Sequence, residues 1–135
     1  MDIDGIWRGV ITYGESYSGD QGKTLSFSVE IEQYGNSFDA LSIDISGFGM
    51  NTQPADIHGE IFGGDISFTK QYRAISIAGD PIDPSQPGIE ILYTGKFSIS
   101  QGQFIGTWKF KPGIYNWGDN YYESLGEGSW VMHRI

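Results

Sequence analysis

From Lys23 onwards apolar and polar residues alternate, with Leu25, Phe27, Val29 and Ile31 interleaved with Thr24, Ser26, Ser28, Glu30 and Glu32. Successive side chains of a strand point to opposite faces, so this period of two predicts a strand with one buried and one wet face. The pattern recurs along the chain. Upstream, Gly5 to Tyr13 is rich in β-branched and aromatic residues and runs into a Gly/Ser-rich loop, which predicts a first strand. After a tight turn at Tyr34, Gly35 and Asn36, the residues Leu41, Ile43 and Ile45 alternate with Ser42, Asp44 and Ser46, and the apolar set is expected to face inward. Ile57, Gly59 and Ile61 supply a fourth inner row. Beyond a Gly63-Gly64 hairpin, Ile66, Phe68, Lys70 and Tyr72 supply a fifth. Ile91, Tyr93, Gly95 and Phe97 form the next, and a turn at Gln101 and Gly102 leads to Phe104, Gly106, Trp108 and Phe110. Residues 129–135 read as a last strand with Trp130, Met132 and Arg134 inward.

That makes eight strands and no convincing helix. Tight hairpins follow the second, fourth and sixth strands, whereas long connections follow the first, third, fifth and seventh. In an up-and-down barrel, odd and even connections lie at opposite ends. Pairing the first strand with the last would close the sheet and leave no exposed edge. The expectation is an all-β, eight-stranded antiparallel up-and-down barrel over residues 1–135, closed by hairpins at one end and rimmed by long loops at the other. The rim would carry Tyr17, Phe48, Met50, Asn51, Tyr115, Trp117, Tyr121 and Tyr122. Loops on a rigid scaffold are where binding residues concentrate. The segment through Pro81, Pro84 and Pro87 is unsuited to a central strand.

Composition changes this picture in a few respects. At 135 residues the chain fits one domain that buries roughly two thirds of its unfolded surface. With no cysteine, disulfides and thiolate metal sites are out. A net charge of −9 argues against nucleic acid, which needs clustered Lys and Arg. There is no polybasic membrane patch, no apolar run of membrane-spanning length and no secretory signal at the N-terminus, so a soluble, cytoplasmic protein is expected.

The chain resembles the calycins, the superfamily of lipocalins, fatty-acid-binding proteins and avidins. The resemblance rests on Gly5 and Trp7 in the first strand and Arg134 in the last. It implies that Trp7 packs against Arg134 at the closed end, and strand parity puts both residues at that end. Fatty-acid-binding proteins carry a helix pair between the first two strands, and typical secreted lipocalins carry cysteines and a C-terminal helix; this chain has neither. In length and bare strand-loop composition it is most similar to avidin, although avidin's polar biotin-contacting set has no counterpart here.

By parity the upper inner wall would be Tyr13, Leu25, Phe27, Ile45, Ile57, Lys70, Tyr72, Ile91, Tyr93, Trp108, Phe110 and Trp130. A barrel of this size either fills with side chains or holds one small ligand. Large aromatics favour filling, whereas inward Gly9, Gly59, Gly95 and Gly106 favour room. The candidate ligand-binding residues are Tyr13, Phe27, Lys70, Tyr72, Tyr93, Trp108, Phe110 and Trp130. Lys70 is the one charge on the inner faces away from the ends, with no carboxylate expected on its face. Either it receives an acidic or carbonyl group together with Tyr72 and Tyr93, or its stem packs on the wall while the amine snorkels to the mouth. His58 and His133 both fall on outward parity, which disfavours a haem site. The acidic stretches 80–83 and 119–127 lack calcium-loop spacing and read as solvated turns. No catalytic motif, metal site or cofactor is expected.

The expected function is a non-enzymatic binding barrel taking a small apolar or aromatic ligand in its upper lumen. One alternative is an interaction or assembly module with a filled core, including a homo-oligomer. A second is a lipocalin-like isomerase or cyclase. No nucleic-acid or membrane partner is expected.

Overall fold

The computed structural model describes residues 1–77, 80–83, 85–117, 120–123 and 126–135, with 75–77, 80–83, 114–117 and 120–123 described as backbone. Among them are twelve strands: β1 (Gly5–Tyr13), β2 (Thr24–Tyr34), β3 (Ser37–Gly47), β4 (Ala55–Phe62), β5 (Asp65–Tyr72), β6 (Ile75–Ile77), β7 (Asp80–Asp83), β8 (Ile91–Ser98), β9 (Gln103–Phe110), β10 (Ile114–Trp117), β11 (Asn120–Glu123) and β12 (Glu127–Arg134). Eight of these close into a barrel in the order β1-β12-β9-β8-β5-β4-β3-β2. Every neighbouring pair is antiparallel, and β1 joins β12 from Trp7 opposite Arg134 to Tyr13 opposite Gly128. No helix occurs among the described residues. The all-β, eight-stranded up-and-down barrel expected from alternation is therefore the observed fold.

The remaining four strands form two separate ribbons inside long connections, β6 with β7 and β10 with β11. Alternation did not mark them, because they are only three or four residues long. Pro81 sits in β7, in a two-stranded ribbon whose other edge needs no amide donor.

One strand faces the opposite way from its expectation. On β3 the buried residues are Phe38, Ser42 and Asp44, whereas Leu41, Ile43 and Ile45 are 37%, 54% and 41% exposed. Pairing decides this, and pairing here overrides hydrophobicity. The two-residue loop Gly35-Asn36 sets Tyr34 opposite Ser37, which puts Ile31 opposite Ala40 and Val29 opposite Ser42. Residues directly opposite share a face, so the inward row of β2 drags Ala40, Ser42 and Asp44 inward with it. Ile45 is then left unpaired in a bulge, since Ser26 pairs with Ser46 but Phe27 with Asp44.

The hairpin end is packed solid. Trp7 and Phe104 approach at 5.4 Å between centroids, Phe97 adds an edge to Phe104 at 5.1 Å, and Phe38 meets Phe68 at 6.1 Å. The N-terminal segment stoppers this end. Ile3 is fully buried, accepts a hydrogen bond from Trp7 Nε1 at 2.9 Å on its carbonyl, and donates its amide to Gln33 Oε1 at 2.8 Å. Arg134 lies over Trp7, its guanidinium carbon 5.0 Å from the ring centroid, while Nη1 donates to the Asp4 carbonyl at 2.7 Å and Nη2 to that of Asp2.

The inward glycines make no cavity. A Cβ on Gly9 would strike the Phe27 ring, one on Gly59 would stand 2.5 Å from Phe68 Cβ, and one on Gly95 or Gly106 would stand 2.7 Å from the Trp130 indole. Each glycine is the recess that a ring occupies, which is how large aromatics fit a narrow lumen.

Candidate functional site

Above Trp130 the filling stops. A cavity of about 390 Å³ opens towards the long connections, near the lower bound of typical small-molecule sites. Its walls come from two sources. Strands supply Ile11, Tyr13, Leu25, Tyr72, Ile91, Tyr93, Trp108 and Phe110, and connections supply Tyr17, Asp20, Phe48, Gly49, Asn51, Ala74, Gly88 and Ile89. Among the expected ligand-binding residues, Tyr13, Tyr72, Tyr93, Trp108 and Phe110 line it. Phe27, Lys70 and Trp130 are buried outside the lining. Of the expected rim, Tyr17, Phe48 and Asn51 line the cavity and Met50 is exposed. The side chains of Tyr115, Trp117, Tyr121 and Tyr122 lie outside the description.

The aromatic wall is held by edge-to-face contacts. Tyr13 stands against Tyr17 at 4.7 Å, Phe48 at 5.1 Å and Trp108 at 5.7 Å, each within 7° of perpendicular. The Tyr13 hydroxyl donates to the Phe48 carbonyl at 3.1 Å, which ties the β3–β4 connection to β1. Trp108 Nε1 donates to the Ser129 carbonyl at 3.0 Å. Below, Tyr93 stacks on Phe68 at 4.6 Å, and Trp130 meets both edge-on while donating Nε1 to the Thr94 and Thr107 carbonyls.

Beside this wall sits a buried polar cluster. The Asp44 side chain is fully buried and accepts the Tyr72 hydroxyl at 2.9 Å from both its oxygens and the Asn51 amide at 2.9 Å on Oδ2. Lys70 Nζ lies 3.9 Å from Asp44 Oδ1 and within 5.1 to 5.8 Å of the Tyr72, Phe27 and Tyr93 ring centroids. Lys70 therefore has a carboxylate on its face, contrary to expectation, because β3 turns Asp44 inward. Nor does its amine reach the mouth, since the residue is 2% exposed. Burial lowers the Lys70 pKa, against an opposing pull from Asp44. Ser42 Oγ is buried without a hydrogen-bond partner among the described residues.

Two cavity-lining hydroxyls, those of Tyr93 and Tyr17, have no hydrogen-bond partner among the described residues. Burial, then the negative charge of Asp44, raises the Tyr93 pKa, and the same two causes push Tyr13 up to about 12. Burial also raises Tyr72 and Tyr17. All four are protonated at neutral pH and can donate.

Sequence reasoning missed Asp44, and it placed Asn51 on the rim without its bond to Asp44. The signal for Asp44 was present: counting outward from the Gly35-Asn36 hairpin sets it opposite inward Phe27. The Asn51 backbone bond to Asp44 carried no signal of its own, since no periodicity encodes the path of that connection. His58 and His133 are exposed, as their parity indicated. His58 Nδ1 is 2.6 Å from Asp39 Oδ1 on the outer surface. No cluster of three or more metal-ligating side chains occurs among the described residues, and no described helix is long and apolar enough to cross a membrane. No protein-family model, curated protein sequence or solved structure matches this chain.

Proposed function

We propose that this protein is a non-enzymatic binding barrel of calycin type, whose open-end cavity takes a small, largely apolar ligand. The observation that carries the reading is the aromatic cavity itself: about 390 Å³ over a solid lower half, with the hydroxyls of Tyr93 and Tyr17 unpartnered on its surface among the described residues. A phenol hydroxyl facing a cavity can donate to or accept from an occupant, so these two groups offer an apolar ligand points of orientation. The Trp7–Arg134 pair under the N-terminal plug supports the calycin part of the reading.

The test uses N-phenyl-1-naphthylamine, an uncharged dye that brightens in apolar surroundings. The protein should bind it saturably, and Ala74→Trp, which places an indole in the cavity, should abolish binding while the variant keeps its β-sheet circular dichroism. Binding unaffected by Ala74→Trp would put the dye elsewhere and refute the site. Native mass spectrometry of protein taken directly from cells should then show the natural ligand as added mass.

A second reading, an assembly module, draws on the exposed row Leu41, Ile43 and Ile45 along β3. It expects an oligomer that Ile43→Glu dissociates; a monomer by native mass spectrometry would dispose of it.

A further inference from the structure

We propose that the cavity selects an uncharged ligand, one that offers a hydrogen-bonding oxygen or nitrogen to the Tyr93 hydroxyl and lays its apolar body against Ile11, Trp108 and Phe110. This rests on the binding reading above and narrows it to a class. Tyr93 is 2% exposed, lines the cavity, and has no hydrogen-bond partner among the described residues. It is a polar group presented to the lumen that no described residue satisfies. As a neutral phenol it can donate to a carbonyl or accept from a hydroxyl or amide.

The charges close to it discriminate against ions of either sign. Asp44 and Lys70 lie 3.9 Å apart and are both buried, so each is the other's counter-charge and neither is left unpaired for a ligand ion. The Asp44 acceptors are already taken by Tyr72 and Asn51. A carboxylate brought to Tyr93 would lose its water and gain no unpaired cation. An ammonium would lose its water and find the buried carboxylate already shared with Lys70. The acid that does line the cavity, Asp20, sits at the mouth with Lys23 Nζ 2.8 Å away. Burial and Asp44 disfavour the phenolate of Tyr93, and by the same physics they disfavour a ligand anion placed there.

Three probes of one shape separate the cases: 2-naphthamide, 2-naphthoate and 2-naphthylmethylammonium, each used to displace N-phenyl-1-naphthylamine at neutral pH. The amide should compete at a concentration at least about tenfold lower than either ion. Tyr93→Phe, with retained near-ultraviolet circular dichroism as evidence of folding, should cut the amide's lead over each ion to below about threefold. The proposal is overturned if either ion competes as well as the amide, or if the amide keeps its lead in Tyr93→Phe. Failure of the underlying binding reading has a different signature: the dye does not bind, or binds Ala74→Trp as it binds the parent, and selection then falls with the site.

Discussion

Replacing Asp44 by Asn removes one charge and little else. The amide oxygen can occupy the Oδ2 position, where it still accepts from the Asn51 amide and the Tyr72 hydroxyl. What is lost is the counter-charge 3.9 Å from Lys70 Nζ. At that separation, and with an effective dielectric near 20, the attraction forgone is about 4 kcal/mol. Lys70 can escape part of the penalty by losing its proton. From an ordinary pKa of 10.5 that escape costs about 5 kcal/mol at neutral pH, so it caps the loss without removing it. Asp44→Asn should therefore destabilise by about 3–4 kcal/mol, a fall of about 2 M in the urea midpoint for a domain of this size. Lys70→Met alone should cost less, about 2 kcal/mol, because the Asp44 carboxylate keeps its bonds to Tyr72 and Asn51. The double variant Asp44→Asn/Lys70→Met buries no charge and should recover most of the loss, giving a coupling energy above about 2 kcal/mol. A pH series adds a sign. The folded-state pKa of Lys70 is depressed, so between that value and 10.5 the unfolded chain holds a proton that the fold does not, and stability rises with pH. Without Asp44's opposing pull the variant's Lys70 is depressed further, so the deficit of Asp44→Asn should shrink as pH rises towards the parent's folded-state value and vanish above it. Additive single and double variants would refute the coupling, and a deficit that widens with pH would refute the assignment to Lys70.

Four further outcomes follow from the same geometry. Ser42→Ala removes a buried hydroxyl with no partner among the described residues and should stabilise the fold by about 1 kcal/mol in urea melts, whereas Ile43→Glu, at a site 54% exposed, should shift stability by no more than about 0.5 kcal/mol; a large loss from Ile43→Glu would mean that β3 faces the other way. In Gly106→Ala the new methyl would overlap the Thr94 carbonyl and stand 2.7 Å from Trp130 Nε1, so it should cost about 3 kcal/mol and perturb tryptophan fluorescence, and a silent substitution would contradict the ring-in-recess packing. The folded-state pKa of Tyr13 is raised from 10.0 to about 12 and those of Tyr17, Tyr72 and Tyr93 are raised too, so their contribution is intact below pH 10 and is lost as pH climbs above it. The phenolate absorbance of these four should therefore rise in one late cooperative step coincident with unfolding, after exposed Tyr34 has titrated; smooth early titration of all the tyrosines would refute their burial.

Barrel and strand order were legible because seven of the eight strands obey one rule, an apolar row inward and a polar row outward. Phe27, Ile57, Tyr93 and Trp108 all lie where alternation puts them. In β3 the rule and the pairing conflict, and pairing wins: a hairpin of fixed loop length transmits the face of β2 to β3 whatever side chains β3 carries. Backbone bonds along eleven residues cannot be traded for the burial of Leu41, Ile43 and Ile45 without slipping the whole register, and the bulge at Ile45 comes too late to turn the row over. The candidate site was half legible for a related reason. Residues on strand rows could be placed by parity, so five of the eight named side chains reach the cavity. Ala74, Gly88 and Asn51 sit in connections whose path no periodicity encodes.

The reversed strand also explains why a lysine can sit inside an aromatic barrel. Had β3 pointed its isoleucines inward, Lys70 would face Phe27, Tyr72 and Tyr93 alone, and ring faces do not repay the dehydration of a buried ammonium. The hairpin register supplies Asp44 instead, at the cost of leaving an apolar row in water. Once paired, neither charge is left to bind a ligand ion, and Tyr72 spends its hydroxyl on the carboxylate and not on the cavity. Tyr93, its ring centroid 5.8 Å from the same ammonium, spends its hydroxyl on no described residue. The difference between these two phenols, set by which of them Asp44 can reach, is what turns an aromatic hole into a site with a preference.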